Sequence, residues 1–308
     1  MVEKIVAALR KSFLVVFSRN IWLFWYALAY NLLGPLLILG FTALPVVYWI
    51  VAGHDFDLEL LYSQPLEFIA GAWRLILYSL AGYTVGFIVF LALYLFFHGA
   101  LTSVISRAAR NYNIGANEKM PQEMFLAEGR RLFPASAGTA AVAGLLPLPG
   151  LVALMVLAAV LLLRLGDGHL GMAGLHSSLF MLLVLAGSVA MLLVTILLTV
   201  LALLWYRYSL CAAVAGNLSV GRAVRQAAGF CARAWHGVLG LALVHILLGL
   251  ALTAFPMSIS YGIKLISGSG FLFPFLFNLI STPLTILAGI AFELWMKSAL
   301  VVFYLDNR

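Results

Sequence analysis

Glu293 and Lys297 stand four residues apart inside the last long apolar run of the chain, in the stretch AFELWMKSAL. On a helix that spacing puts both side chains on one face, with the glutamate N-terminal, the favourable order for an ion pair. Ionisable side chains at membrane depth are costly, so each is a functional hypothesis by default. Two chemistries fit the pair. Glu293 either neutralises Lys297, or reaches Arg207 on another helix, as a structural contact, or it serves as a proton-coupled or ion site. His245, in LALVHILLGL, lies in the middle of another apolar run. It suits a neutral imidazole hydrogen-bonded to a neighbouring helix, or a proton or ligand site.

A pattern links Lys297 to two more residues. Three apolar runs close on FFHGAL, WYRYSL and WMKSAL. Each reads aromatic, bulky, basic-type, any, small, Leu, so His98, Arg207 and Lys297 share one position. A basic ring near one membrane face attracts anions, lipid phosphate included. The same residues also suit plain interfacial anchoring, because aromatics beside a snorkelling cation are what a helix carries at the headgroup level. The equivalents of Glu293 are Tyr94 and Leu203, so the carboxylate stands outside the pattern.

Other site chemistry is thin. His54, Asp55, Asp57 and Glu59 fall in one loop, the three acids at alternating positions. An extended segment would point those acids one way, suiting a weak divalent cation site or simply a charged loop kept out of the membrane. His169 and His176 read as solvated loop residues. No C-x-x-C, H-E-x-x-H or zinc-like spacing occurs, nor a G-x-x-x-x-G-K phosphate loop, so no metal and no cofactor is expected. Cys211 and Cys231 are too few for a disulfide framework and read as free thiols.

The elements that must carry these residues follow from composition. Of 308 residues, 64% are hydrophobic and 9% charged, and the mean hydropathy is +1.09. A soluble domain has about 45–50% apolar and about 25% charged residues. The composition therefore points to an all-α polytopic membrane protein. Six apolar segments meet the roughly 20-residue requirement for a spanning helix. They are approximately Ile21–Ala52, Leu75–Phe97, Leu132–Leu163, Ser177–Tyr206, Gly237–Ile263 and Leu265–Phe292, the last continuing to Tyr304. The first is too long for a signal peptide and reads as a retained span. Pro147 and Pro149 in GLLPLPGLV predict a bend in the third.

The net charge of +7 has a topological cause. Fifteen of the 18 basic residues fall at the N-terminus, in the second-to-third and fourth-to-fifth connections, and near the C-terminus. Only Arg74, Arg164 and Lys264 fall on the other side. The positive-inside rule then places both termini in the cytoplasm. No nucleic-acid partner is implied.

Each odd-numbered span is preceded by a basic segment: VEKIVAALRKSFLVVFSRN, PQEMFLAEGRRLFPASAG and SVGRAVRQAAGFCARAWHG. In the first, Ile5, Val6, Leu9, Phe13, Val16 and Phe17 recur at helical spacing, with Lys4, Arg10 and Lys11 off that stripe. Such helices suit a membrane surface with anionic lipid. The whole reads as one integral membrane domain, 1–308. It divides into three repeats of surface helix plus transmembrane hairpin, at 1–112, 113–216 and 217–308.

The stretches FFHGALTSVISRAARNY and WYRYSLCAAVAGNLSVGRAVRQAAGFCARAWHGVLGLAL carry a family resemblance. A span ends, a short loop follows, and a basic S-x-G-R-A helix leads into the next span. This layout resembles the six-span membrane domain attached to some bacterial and archaeal glycerophosphodiester phosphodiesterases, and the related stand-alone membrane proteins. The resemblance implies a bacterial or archaeal cell membrane and supplies no catalytic residues. The phosphodiesterase domain would need a further soluble region, which these 308 residues lack, so it implies no enzymatic activity. A looser likeness to sulfate-permease-like proteins draws attention to the basic positions. The expectation is a non-enzymatic scaffold or accessory protein binding membrane lipids or membrane-protein partners, in an oligomeric state the sequence leaves open. The alternative is a transporter or channel for a small anion, solute or lipid.

Overall fold

A computed structural model describes residues 1–52, 63, 65–114, 120–166, 174–267 and 272–308. The acidic loop with His54, Asp55, Asp57 and Glu59 lies outside the described residues, as does His169. Those described form helices and no strand, as backbone groups in hydrocarbon require. In order they are α1 Val2–Phe13, α2 Trp22–Val51, α3 Pro65–Asn113, α4 Glu123–Gly144, α5 Leu148–Gly166, α6 Gly174–Gly216, α7 Val220–Arg233, α8 Trp235–Ser267 and α9 Leu272–Asn307.

Among the described residues, five helices are long and apolar enough to cross a membrane, within α2, α3, α6, α8 and α9. The pair α4 and α5 passes the same test together but bends by 49° at its break. The chain thus has the architecture of a multi-pass helical membrane protein. In the five spans only 6–11% of the most apolar window is buried against protein. The remaining side chains, Leu36, Leu39, Leu77 and Leu197 among them, face outward as lipid-facing residues do.

The structure adjusts four expected boundaries. The second segment, expected to end at Phe97, continues as one helix to Asn113. Its extension buries Thr102, Ser103 and Ser106, which hydropathy reads as the end of a span. The third is two helices, the break falling at Leu145–Pro147, where a proline cannot donate to the preceding turn. The fourth, expected to end at Tyr206, continues as one helix to Gly216. The fifth runs to Ser267, so the sixth starts at Leu272 rather than Leu265. Pro35, Pro45, Pro134, Pro256 and Pro283 are absorbed inside helices.

Two compact units divide the chain. The first comprises residues 1–133 and 236–303, the second 134–235 and 304–308. In the first, α2 and α3 pack closely because small residues face bulky neighbours. Gly34 lies against the Phe90 ring, and Gly82 against the Phe41 carbonyl. This is how helices associate in a solvent as apolar as their own side chains. Tyr30 adds a stacked contact with Phe90, their centroids 5.8 Å apart. Ahead of α2, a π-helical turn at Leu14–Ser18 leads to buried Asn20. Its amide donates to the Val15 carbonyl at 2.8 Å, and its Oδ1 accepts from the Met120 N–H at 3.2 Å. In the second unit, Gly150 meets Thr195, Gly138 meets Val220, and the Ser136 and Tyr206 hydroxyls share a 2.9 Å hydrogen bond.

The three matching span ends also share a partner type. Phe96 lies against Gly129 of α4. The Trp205 indole donates to the Val224 carbonyl of α7 at 3.2 Å. The Trp295 indole donates to the Leu9 carbonyl of α1 at 2.9 Å. Each contacted residue is followed by an arginine, Arg130, Arg225 and Arg10. Leucines one before and five after each aromatic are buried: Leu95 and Leu101, Leu204 and Leu210, Leu294 and Leu300. Each end thus grips the next basic helix in chain order, and the last grips the first.

Candidate functional site

Three of the five sequence-selected residues meet in the first unit. His98 from α3, with Glu293 and Lys297 from α9, borders a cavity of about 10 Å³. Tyr30 and Asn31 of α2 complete its polar wall, and Phe97 and Leu294 contribute apolar surface. One water fills such a space; a solute does not.

The Lys297 Nζ lies 2.7 Å from Glu293 Oε1, and the side chains are 13% and 37% exposed respectively. The i,i+4 spacing on α9 therefore yields a formed ion pair, and at this distance the hydrogen bond is charge-assisted. His98 is buried, its ring 4.1 Å from that of Tyr94 one turn earlier. Asn31 donates to the Ala27 carbonyl at 2.8 Å, which fixes its amide against α2. What the arrangement offers chemically is one imidazole, one carboxylate and one ammonium around a water-sized space. A proton has room to move between those groups; an anion has no room to enter.

The other two candidates lie elsewhere. Arg207 belongs to the second unit, on α6 beside the buried Tyr208. His245 sits on α8 with its ring edge-on to Phe292, centroids 5.4 Å apart. Among the described residues, no three His, Cys, Asp or Glu side chains gather as a metal site requires. Cys231, on α7 outside the spans, has its thiol pushed up to about 11 by burial. It is a neutral thiol at physiological pH and a poor nucleophile.

Sequence reasoning missed a second polar cluster. Glu128 of α4 is 6% exposed. Its carboxylate accepts from Ser103 at 2.8 Å, from Arg107 at 2.6 Å, and from Arg131 at 2.7 and 3.1 Å. Arg107 also approaches the Met124 sulfur at 3.7 Å. The cluster clasps the α3 extension to α4. Two spacings signal it: Ser103 and Arg107 are four apart on one face, and Glu128 and Arg131 are three apart on another. Glu128 occupies the place that Ala8 holds on α1 and Ala223 on α7, each one residue before the contacted position and each buried.

No family model, curated protein or solved structure matches this chain.

Proposed function

We propose that this protein is a non-enzymatic integral membrane scaffold or accessory protein that holds protein partners or lipids through its spans and its basic helices. The observation that carries this reading is the cavity at Glu293 and Lys297: it has room for one water, and its charges are already paired. The family resemblance, which brings no catalytic residues, supports the same reading.

In this proposal α1, the N-terminal part of α4 and α7 lie at the cytoplasmic face of a bacterial or archaeal cell membrane, each leading into a transmembrane hairpin, with both termini cytoplasmic. The C-terminal part of α4, bent against α5, serves with it as the third span. The three aromatic contacts to Leu9, Gly129 and Val224 support reading the chain as three repeats, since unrelated helices have no reason to share a contact register. Arg10, Arg130 and Arg225 are then equivalent cations offered at one face, suited to anionic lipid or an acidic partner.

A transporter of a small anion, solute or lipid is the second reading. Its support is the meeting of His98, Glu293 and Lys297 at one cavity. A liposome flux assay separates the two, with Lys297→Ala and Arg207→Ala as controls. The scaffold reading expects no flux above empty vesicles for any anion, solute or lipid tested. It further expects a stoichiometric crosslinked partner or bound lipid in native membranes, lost in Arg222→Ala/Arg225→Ala. Flux abolished by Lys297→Ala overturns it.

A further inference from the structure

The α8–α9 hairpin carries a polar groove that the ionisable residues do not explain. It is an open groove of about 500 Å³ between the two helices, a volume within the range of small-molecule sites. Thr253, Ser260 and Tyr261 line it from α8, and Asn278, Ser281, Thr282 and Thr285 from α9. Seven hydroxyl or amide side chains thus share one groove. Among the described residues, no charged side chain lines it.

Some of these groups are satisfied locally. Thr253 donates to the Gly249 and Leu250 carbonyls at 3.1 Å, and Thr285 to the Ser281 carbonyl at 2.7 Å. Such back-bonding is the ordinary fate of a hydroxyl on a membrane helix. Ser260 behaves differently: it crosses to α9 and donates to Asn278 Oδ1 at 3.1 Å. That bond holds the Asn278 carboxamide between the helices and turns its two N–H donors to other use. Two prolines add acceptors. Pro256 lines the groove and Pro283 adjoins Thr282. Neither can donate to the carbonyl four residues back, so the Leu252 and Leu279 carbonyls are released from the helical ladder.

The described lining therefore offers fixed donors, hydroxyls and spare carbonyls, but no charge. Its surroundings are hydrocarbon-facing: Phe255, Met257, Leu279 and Leu284 beside it are 60–72% exposed. Thr253 lies about 27 Å along α8 from Trp235, at 1.5 Å per residue. The groove is thus at the end of the hairpin remote from the start of α8. A ligand there reaches the groove sideways from the bilayer, needs an apolar body, and presents an uncharged hydrogen-bonding head. A phosphate head would meet no cation among the described residues of the groove.

We propose that the groove between α8 and α9 binds a neutral, hydroxyl-bearing lipid of the diacylglycerol kind, its hydroxyl held by Asn278 and Thr282 and its chains lying along Met257 and Ile286. This site is separate from the Glu293–Lys297 cavity and stands whether or not the scaffold reading does.

The test uses the full chain in phosphatidylcholine vesicles doped with a diazirine-labelled diacylglycerol. After photolysis, label concentrates on peptides covering residues 253–286. Excess unlabelled diacylglycerol competes, and equal phosphatidylglycerol does not. Asn278→Leu combined with Thr282→Val lowers labelling about three- to tenfold, the effect of losing one or two hydrogen bonds in a membrane. Ser260→Ala, which removes one hydroxyl and leaves the packing, lowers it about threefold. Thr84→Val, at an exposed threonine of α3, leaves it unchanged. Label spread evenly over the spans, equal competition by phosphatidylglycerol, or no response to either groove variant overturns the proposal. So does quantitative disulfide formation between two copies of Ser260→Cys, which would make the groove a helix-packing seam.

Discussion

The indole of Trp295 donates a hydrogen bond to the carbonyl of Leu9, 2.9 Å away in space and 286 residues away in sequence. The last span is thereby tied to the first helix of the chain. Phe13 adds an edge-on contact with the same indole, centroids 6.1 Å apart. Within α1, Ala8 and Ser12 are the buried residues on that face. Trp295→Phe keeps most of the ring and removes the donor. The expected cost is about 1 kcal/mol, the net worth of one hydrogen bond. Hydrogen exchange reads it locally: the amides of Val2–Phe13 exchange about fivefold faster. Trp205→Phe does the same to Val220–Arg233, because its indole makes the corresponding bond to Val224. Unchanged exchange in both variants would remove the indoles from the architecture.

Glu128 makes a sharper case, since two arginines and a serine converge on it. Glu128→Gln keeps the shape and leaves Arg107 and Arg131 facing each other without a counter-charge. Breaking one partner of a buried network costs about 3–5 kcal/mol when all members are dry. Arg107 and Arg131 are 43% and 48% exposed, so about 1–3 kcal/mol is expected. Arg107→Ala costs less than Glu128→Gln, because Arg131 remains to hold the carboxylate. Thermal unfolding in detergent checks the order of the two variants; the reverse order would show that the clasp is not centred on Glu128.

The α2–α3 hairpin offers a paired test of close approach. A Cβ at Gly82 would meet the Phe41 backbone carbonyl, whereas a Cβ at Gly40 meets nothing within 4 Å. Backbone cannot swing aside as a side chain does. Gly82→Ala therefore lowers the melting temperature by several degrees, at a cost of about 1–3 kcal/mol. Gly40→Ala is neutral or stabilising, because alanine loses less freedom than glycine in a helix. Equal effects at both positions would mean that the helices do not touch where Gly82 sits.

What the sequence disclosed follows from the range of each signal. A span needs only a long apolar run, so α2 and α8 are legible to within a few residues of their ends, whereas α6 runs ten residues past the expected Tyr206 to Gly216. The bend between α4 and α5 is legible because Pro147 and Pro149 act on their own turns. Glu293 and Lys297 pair as their spacing predicts. The meeting of His98 with that pair is another matter, since it depends on how α3 is rotated against α9. Tyr30 and Asn31 leave no trace, because an uncharged polar residue in an apolar helix has no periodic signature. Glu128 sits in EGRR, which reads as a solvated face; only the α3 extension beyond Phe97 buries it. The groove at Asn278 was equally silent, since serines and threonines in spans usually bond their own helix.

Cys231 gives a pH dependence of known sign. Burial pushes its thiol up to about 11, against about 8.5 for an unperturbed thiol. The thiolate is the reacting species. Below the folded value its fraction rises tenfold per pH unit. Maleimide labelling of Cys231 therefore climbs log-linearly from pH 7 to pH 10 without levelling. An exposed thiol instead begins to level near pH 8.5. Mass spectrometry of the peptide containing Cys231 follows the rate, and a plateau below pH 9 would place the thiol in water.

The Glu293–Lys297 pair distinguishes a structural contact from a working site. Lys297 is the more enclosed partner, at 13% exposure against 37%, so removing the lysine leaves the more accessible charge behind. Lys297→Met strands Glu293 and Glu293→Gln strands Lys297 at the cavity wall. The second variant is therefore the more damaging, although the first removes the longer side chain. Costs of about 1–2 kcal/mol are expected, discounted from a fully buried pair for the exposure of Glu293. Replacing both, Glu293→Leu with Lys297→Met, recovers most of the loss, because an apolar pair of similar volume needs no desolvation. A double-mutant cycle on thermal unfolding measures the coupling directly. A structural pair gives that recovery together with unchanged lipid or partner binding. If the double variant regains stability but loses binding or a proton flux in liposomes, the pair belongs to a working site and the scaffold reading fails at its centre.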